Sequence, residues 1–74
     1  MWKEGSIKVN NSIFHYWIKQ FDSGSEWGIE FGRISKLMIK RGAEIVCRYD
    51  RGWDKKPIDA DSQIALEIIL CNEN

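Results

Sequence analysis

Four groups of residues in this 74-residue chain are of types that do chemistry: the single histidine His15, the carboxylates Asp50 and Asp54, the cysteines Cys47 and Cys71, and the run Ser23-Gly24-Ser25. His15 has the titration range of a general base, but a base needs a nucleophile within hydrogen-bond reach. The sequence places no serine or cysteine predictably beside it, and a lone histidine on a mixed strand face is more often packing. Asp50 and Asp54 are of the type that works as paired carboxylates, but they lie in a predicted loop. Arg51 stands between them, which argues for an ion pair, and no third acid lies close enough in sequence to complete a metal site. Cys47 and Cys71 form no CxxC pair and only His15 could join them, which argues against zinc. A disulfide between them is geometrically open; two buried thiols in a reducing compartment are the favoured expectation. Ser23-Gly24-Ser25 lacks the lysine, the length and the following helix of a phosphate loop. The expectation is a protein that is not an enzyme and carries no cofactor or metal.

The densest stretch is Tyr49-Asp50-Arg51-Gly52-Trp53-Asp54, where a last strand gives way to the only predicted helix. Read as structure, it is a corner: Gly52 permits a tight turn, Trp53 caps the core, and Arg51 pairs with Asp50 or Asp54. Read as function, it presents Trp53 and Arg51, types enriched at binding hot spots. The corner reading is favoured, because a small domain needs such anchors.

The elements that position these residues follow from pattern. Trp2 to Val9 reads as a first strand. Asn10-Asn11 reads as a two-residue turn of type I′, since asparagine tolerates positive φ. Ser12 to Phe21, rich in aromatic and β-branched residues, is a second strand. With that loop Val9 faces Ser12, Ile7 faces Phe14 and Gly5 faces Tyr16. One face then collects Ile7, Val9, Phe14, Tyr16 and Ile18 as a core side. The other collects Trp2, Glu4, Ser6, Lys8, Ile13, His15, Trp17 and Lys19. Asp22 to Ser25 is a turn, and Ile29 to Lys40 a third strand interrupted at Gly32, where a bulge is expected. Ala43 to Asp50 is a fourth strand with Ala43, Ile45, Cys47 and Tyr49 on one side. Arg51 to Ile58 reads as loop. Asp59 is the N-cap of a helix from Ala60 to about Cys71, with Asn72 to Asn74 frayed. The fold class is α+β: a four-stranded antiparallel meander with one C-terminal helix on one face, in the order ββββα, forming a single domain over residues 1–74. No second helix exists to cover the other face.

A chain this short buries only about 60–65% of its unfolded surface. Eleven bases balance eleven acids, so general attraction to polyanions or membranes is not indicated. The charge is uneven: Arg33, Lys36, Lys40 and Arg41 make the third strand basic, whereas Asp59, Asp61, Glu67 and Glu73 make the helix acidic. Met1-Trp2-Lys3-Glu4 does not open a signal peptide and no apolar run approaches transmembrane length, so a cytoplasmic protein with no membrane role is expected.

The runs Gly24-Ser25-Glu26-Trp27-Gly28-Ile29, Gly32-Arg33-Ile34-Ser35-Lys36-Leu37 and Tyr49 to Asp54, with the opening Trp2-Lys3-Glu4-Gly5, resemble an uncharacterised family of small proteins from phages, prophages and low-GC Gram-positive bacteria. The resemblance covers nearly the whole chain. It implies a cytoplasmic, phage-derived accessory protein and carries over no activity and no catalytic residue. It is consistent with one charge network of Arg33, Asp50, Arg51 and Asp54 around Trp53. The functional expectation is therefore a non-enzymatic protein that contacts a protein partner or itself, through the open sheet face or the Tyr49–Asp54 loop. The candidate binding residues are Trp2, Trp17, Arg33, Lys36, Tyr49, Arg51, Trp53 and Asp54, with Met38 and Arg48 as neighbours. The alternative is single-stranded nucleic acid stacked on the sheet aromatics, disfavoured by the zero net charge.

Overall fold

The computed structural model describes residues 2–24 and 26–74, the side chain of Phe31 excepted. Its elements are strands β1 (Trp2–Val9) and β2 (Ser12–Gln20), a 3₁₀ turn (Ile29–Phe31), strands β3 (Ile34–Arg41), β4 (Glu44–Asp50) and β5 (Trp53–Lys55), and helix α1 (Ala60–Glu73). The strands form one antiparallel sheet in the order β1-β2-β3-β4-β5. The sheet thus has five strands and not four: Trp53 to Lys55, read as loop, folds back onto Arg48 and Tyr49. Its three residues are too few for the alternation that betrays a strand in sequence.

The first hairpin has the expected register, with Val9 opposite Ser12, Ile7 opposite Phe14 and Gly5 opposite Tyr16. Its loop differs in kind. Of its two residues only Asn10 has positive φ (55°), the pattern of a II′ turn rather than I′. Gly42, at φ 62°, repeats that pattern between β3 and β4. The face with Ile7, Val9, Phe14, Tyr16 and Ile18 lies under the helix, where it meets Leu37, Ile39, Cys47, Tyr49, Ala65 and Ile69.

Three further expectations are corrected. The third strand begins at Ile34, because Gly28 to Gly32 is a tight turn in which the Gly32 N–H donates to the Ile29 carbonyl at 2.8 Å. Gly32 is therefore no bulge inside a strand; the register shifts lie at Lys19/Gln20, at Ile39/Lys40 and at Arg48/Tyr49. The first lets Ile34 reach the core despite its parity. The second turns Ile45 out of line and buries Val46 in its place. The predicted turn over Asp22 to Ser25 falls partly outside the described residues, since Ser25 is not among them.

Helix α1 starts where its cap places it. Asp59 accepts from the Ser62 N–H at 3.1 Å and from the Ser62 hydroxyl at 2.7 Å, and Arg41 adds a contact at 3.1 Å. The helix end is held, not frayed. Lys3 pairs with Glu73 at 2.7 Å. The Asn74 side chain accepts from the Ile34 N–H at 3.0 Å and donates to the Ile29 carbonyl at 2.9 Å. No cation stands in the last turn of the helix itself, so Lys3 of β1 supplies the charge that the dipole favours there. Cys47 is buried and Cys71 is exposed, and neither is bridged, so the expectation of two buried thiols holds for Cys47 alone.

The Ser62 hydrogen bonds, with Arg41 assisting, hold the Asp59 carboxyl below its ordinary value. A carboxyl lowered on folding contributes stability that is full above its unfolded value and is lost as pH falls through its folded one. The melting temperature should therefore drop below about pH 4 more steeply in the wild type than in Asp59→Asn, measured by circular dichroism across pH.

Candidate binding face

The sheet face away from the helix is built by strand alternation. Because Phe14 and Ile18 point under the helix, His15, Trp17 and Lys19 point out; because Leu37 and Ile39 point in, Lys36, Met38 and Lys40 point out. Cross-strand register then sets rows. Glu4, Trp17, Met38 and Arg48 form one, and Trp2, Lys19, Lys36 and Asp50 the next. Trp2, Trp17 and Met38 meet across these rows around an open hollow of about 310 Å³. Trp2 is 54% exposed, and Trp17 and Met38 are half-buried by each other's company. Beside them Trp2, Lys36, Met38, Arg48 and Asp50 border a second hollow of about 190 Å³. His15 leans on Trp17 with ring centres 4.5 Å apart.

Several polar and charged groups around this patch are paired. Lys36 lies 3.9 Å from Asp50, Arg48 lies 3.8 Å from Asp54, and His15 lies 3.4 Å from Glu4. The result is an aromatic centre inside a rim of mixed sign.

His15 does have a hydroxyl beside it: Ser6, its cross-strand partner, approaches Nδ1 at 3.3 Å while Glu4 approaches Nε2. The hairpin register creates this neighbour, which linear sequence does not show. The three groups sit exposed on a flat strand surface, and the two hollows of this face are lined by other residues. Shelter from water, which makes such a chain reactive, is missing there. The Cys47 thiol, pushed up to about 12 by burial, is no nucleophile either. Among the described residues no group of three or more His, Cys, Asp or Glu is placed to hold a metal ion, and no helix is long and apolar enough to cross a membrane.

The Tyr49–Asp54 stretch does not hold one charge network. Arg33 donates to the Phe21 carbonyl at 3.2 Å, Asp50 faces Lys36, Asp54 faces Arg48, and among the described residues the Arg51 side chain has no ion pair. Trp53 does not cap the core: it is 38% exposed, edge-on to Tyr49 with ring centres 5.0 Å apart, and carries the Lys56 ammonium over its face at 5.6 Å. The corner is made by backbone and by Tyr49. The Arg51 N–H donates to the Ser35 carbonyl at 3.0 Å, and the Tyr49 hydroxyl to the Trp27 carbonyl at 3.0 Å. Arg51 takes φ 57° to do this, and the residue beside it, Gly52, does not.

A family described as a domain of unknown function, DUF7678, matches the chain over residues 1–74. The chain belongs to the DUF7678 family. No curated protein and no solved structure matches it. The eight residues proposed for binding in this DUF7678 domain fall into two places. Trp2, Trp17, Lys36 and Asp54 share the open face, whereas Arg33, Tyr49, Arg51 and Trp53 gather at the sheet end near the corner. There Phe21, Trp27 and Arg51 border a cleft of about 350 Å³. Phe21 and Trp27 are not among the binding candidates read from the sequence; their signal there is that two large aromatics flank the turn around Gly24.

Proposed function

We propose that this DUF7678 domain is a non-enzymatic protein-binding module whose working surface is the open sheet face. The observation that carries the reading is the aromatic centre of Trp2, Trp17 and Met38 inside a rim of mixed charge. An apolar patch with a polar rim is the anatomy of a protein interface. Its partner would offer an apolar anchor ringed by charges of both signs. The described helix already covers the opposite face, so the two faces divide the labour of folding and binding. A cytoplasmic setting belongs to this proposal, and the free buried Cys47 thiol is in keeping with it. An accessory role in a phage or prophage is proposed from the likeness of the Gly32–Leu37 and Tyr49–Asp54 runs.

Single-stranded nucleic acid is the second reading, favoured by the tilted His15–Trp17 ring contact beside Lys19 and Lys40. Against it, Lys36 and Arg48 of the same face each have an acid beside them, Asp50 and Asp54, whereas phosphate binding relies on uncompensated cations. Titrating tryptophan fluorescence with single-stranded oligonucleotides at low and moderate salt separates the two. No quenching is expected. Quenching that weakens steeply with salt and disappears in Trp17→Ala would replace the protein-binding reading with the nucleic-acid one.

A further inference from the structure

The two edges of the sheet differ. β5 offers three residues and runs within two more to Pro57, which cannot donate to a ladder. β1 offers eight residues, and among the described residues it is paired on one side alone. A bare edge of that length is a template for another strand.

Hairpin geometry fixes which groups this edge presents. A two-residue loop makes the pair at its neck, Val9 and Ser12, hydrogen-bonded, and alternation makes Ile7–Phe14, Gly5–Tyr16 and Lys3–Ile18 hydrogen-bonded as well. The backbone groups of Glu4, Ser6 and Lys8 therefore point outward, and so do no others between Lys3 and Val9. Their side chains all lie on the open face.

We propose that two copies of this chain pair antiparallel through β1, about a two-fold axis at Ser6, into one continuous sheet. In that register the outward groups of Glu4 meet those of Lys8 in the second copy, and Ser6 meets Ser6. Both acids thus face both lysines, on the same side of the sheet. A slip of one residue sets outward groups against inward ones and is forbidden. Centring on Gly5 instead puts Glu4 opposite Ser6 and Lys3 opposite Ile7. Centring on Ile7 puts Glu4 opposite Asn10. Only the Ser6 register sets Glu4 opposite Lys8; Lys3, opposite Val9 there, keeps Glu73 of its own chain. The same register also sets Ile7 beside Gly5 of the second copy on the helix side. There the Tyr16 ring lies over Gly5, where a Cβ would meet its hydroxyl, and gives Ile7 an apolar surface. This inference does not rest on the protein-binding reading, since it stands on the outward backbone groups of β1 and not on the aromatic centre of Trp2, Trp17 and Met38.

Light scattering on eluting protein over a wide concentration range, with charge variants, tests it. The wild type should reach the mass of a dimer. Glu4→Lys alone and Lys8→Glu alone each set like charges opposite one another at both pairs, and should weaken dimerisation about tenfold or more. The double variant Glu4→Lys/Lys8→Glu should recover it, and so should an equimolar mixture of the two single variants, which restores both ion pairs between unlike chains. Recovery in the double variant also excludes loss of the Glu4–His15 contact as the cause, since that contact is absent there too. Circular dichroism verifies that each single variant folds. A wild type that stays monomeric at every concentration, or a dimer indifferent to the single exchanges, overturns the proposal.

Discussion

Phe14→Ala should leave little folded protein, whereas Trp17→Ala, three residues along the same strand, should fold nearly as well as the wild type. Phe14 is fully buried between the sheet and helix α1, with the Arg41 guanidinium 5.6 Å from its ring centre at the rim. Truncating a buried phenylalanine costs about 3–5 kcal/mol. A core of this size contributes a net stability of about 3–5 kcal/mol in all. Trp17 faces the other way; its contact with Met38 is a cross-strand pair of about 1 kcal/mol, and His15 is its neighbour along the same strand. Urea unfolding followed by circular dichroism measures both. Comparable losses from the two substitutions would mean that the open face is a second core, not a surface kept for binding.

Gly28→Ala is the second large effect expected, and it comes from space rather than dihedral angle. Gly28 sits at φ −82°, which any residue accepts. A Cβ there would run into the Gly32 carbonyl, a backbone atom that cannot swing aside. Moving it disturbs the Gly32–Ile29 hydrogen bond and the Asn74 side chain packed over Gly32, which ties the helix end to this turn. Overpacking against backbone should cost about 3 kcal/mol. Gly52→Ala is the matched control, since a Cβ at Gly52 meets nothing within 4 Å and should change stability by less than about 0.5 kcal/mol. A thermal melt that ranks the two alike would mean that the 28–32 turn yields easily.

What the sequence made legible was whatever local chemistry determines. The two-residue loop at Asn10-Asn11 fixes the register of the first hairpin, and register alone divides Phe14 from Trp17. Asp59 starts the helix because a carboxylate there can satisfy the Ser62 N–H. What stayed hidden depends on contacts distant in sequence. The bulge at Ile39/Lys40 exchanges Ile45 for Val46 through pairing with another strand. Trp53 to Lys55 becomes a strand only because β4 leaves an edge for it. Asn74 reads as a frayed terminus until Ile29 and Ile34 are brought beneath it. The same limit governs the candidate site. Trp2 and Trp17 were legible as one face by parity, but Met38 joined them only once Trp17 was known to face it. The charge network imagined around Trp53 failed because Asp50 and Asp54 turn to the open face while Arg51 stays at the corner.

The central claim is that the open face is the working surface, and photocrosslinking in the native host tests it most directly. A photoreactive phenylalanine analogue is placed in turn at Trp17 and Met38 on the open face, and at Glu67 on the exposed side of helix α1. One discrete adduct with a different protein is expected, the same from Trp17 and from Met38, absent from Glu67, and lost when Trp2 is also changed to aspartate. Adducts from Glu67 alone, or no adduct with a different protein from either Trp17 or Met38, would contradict the claim.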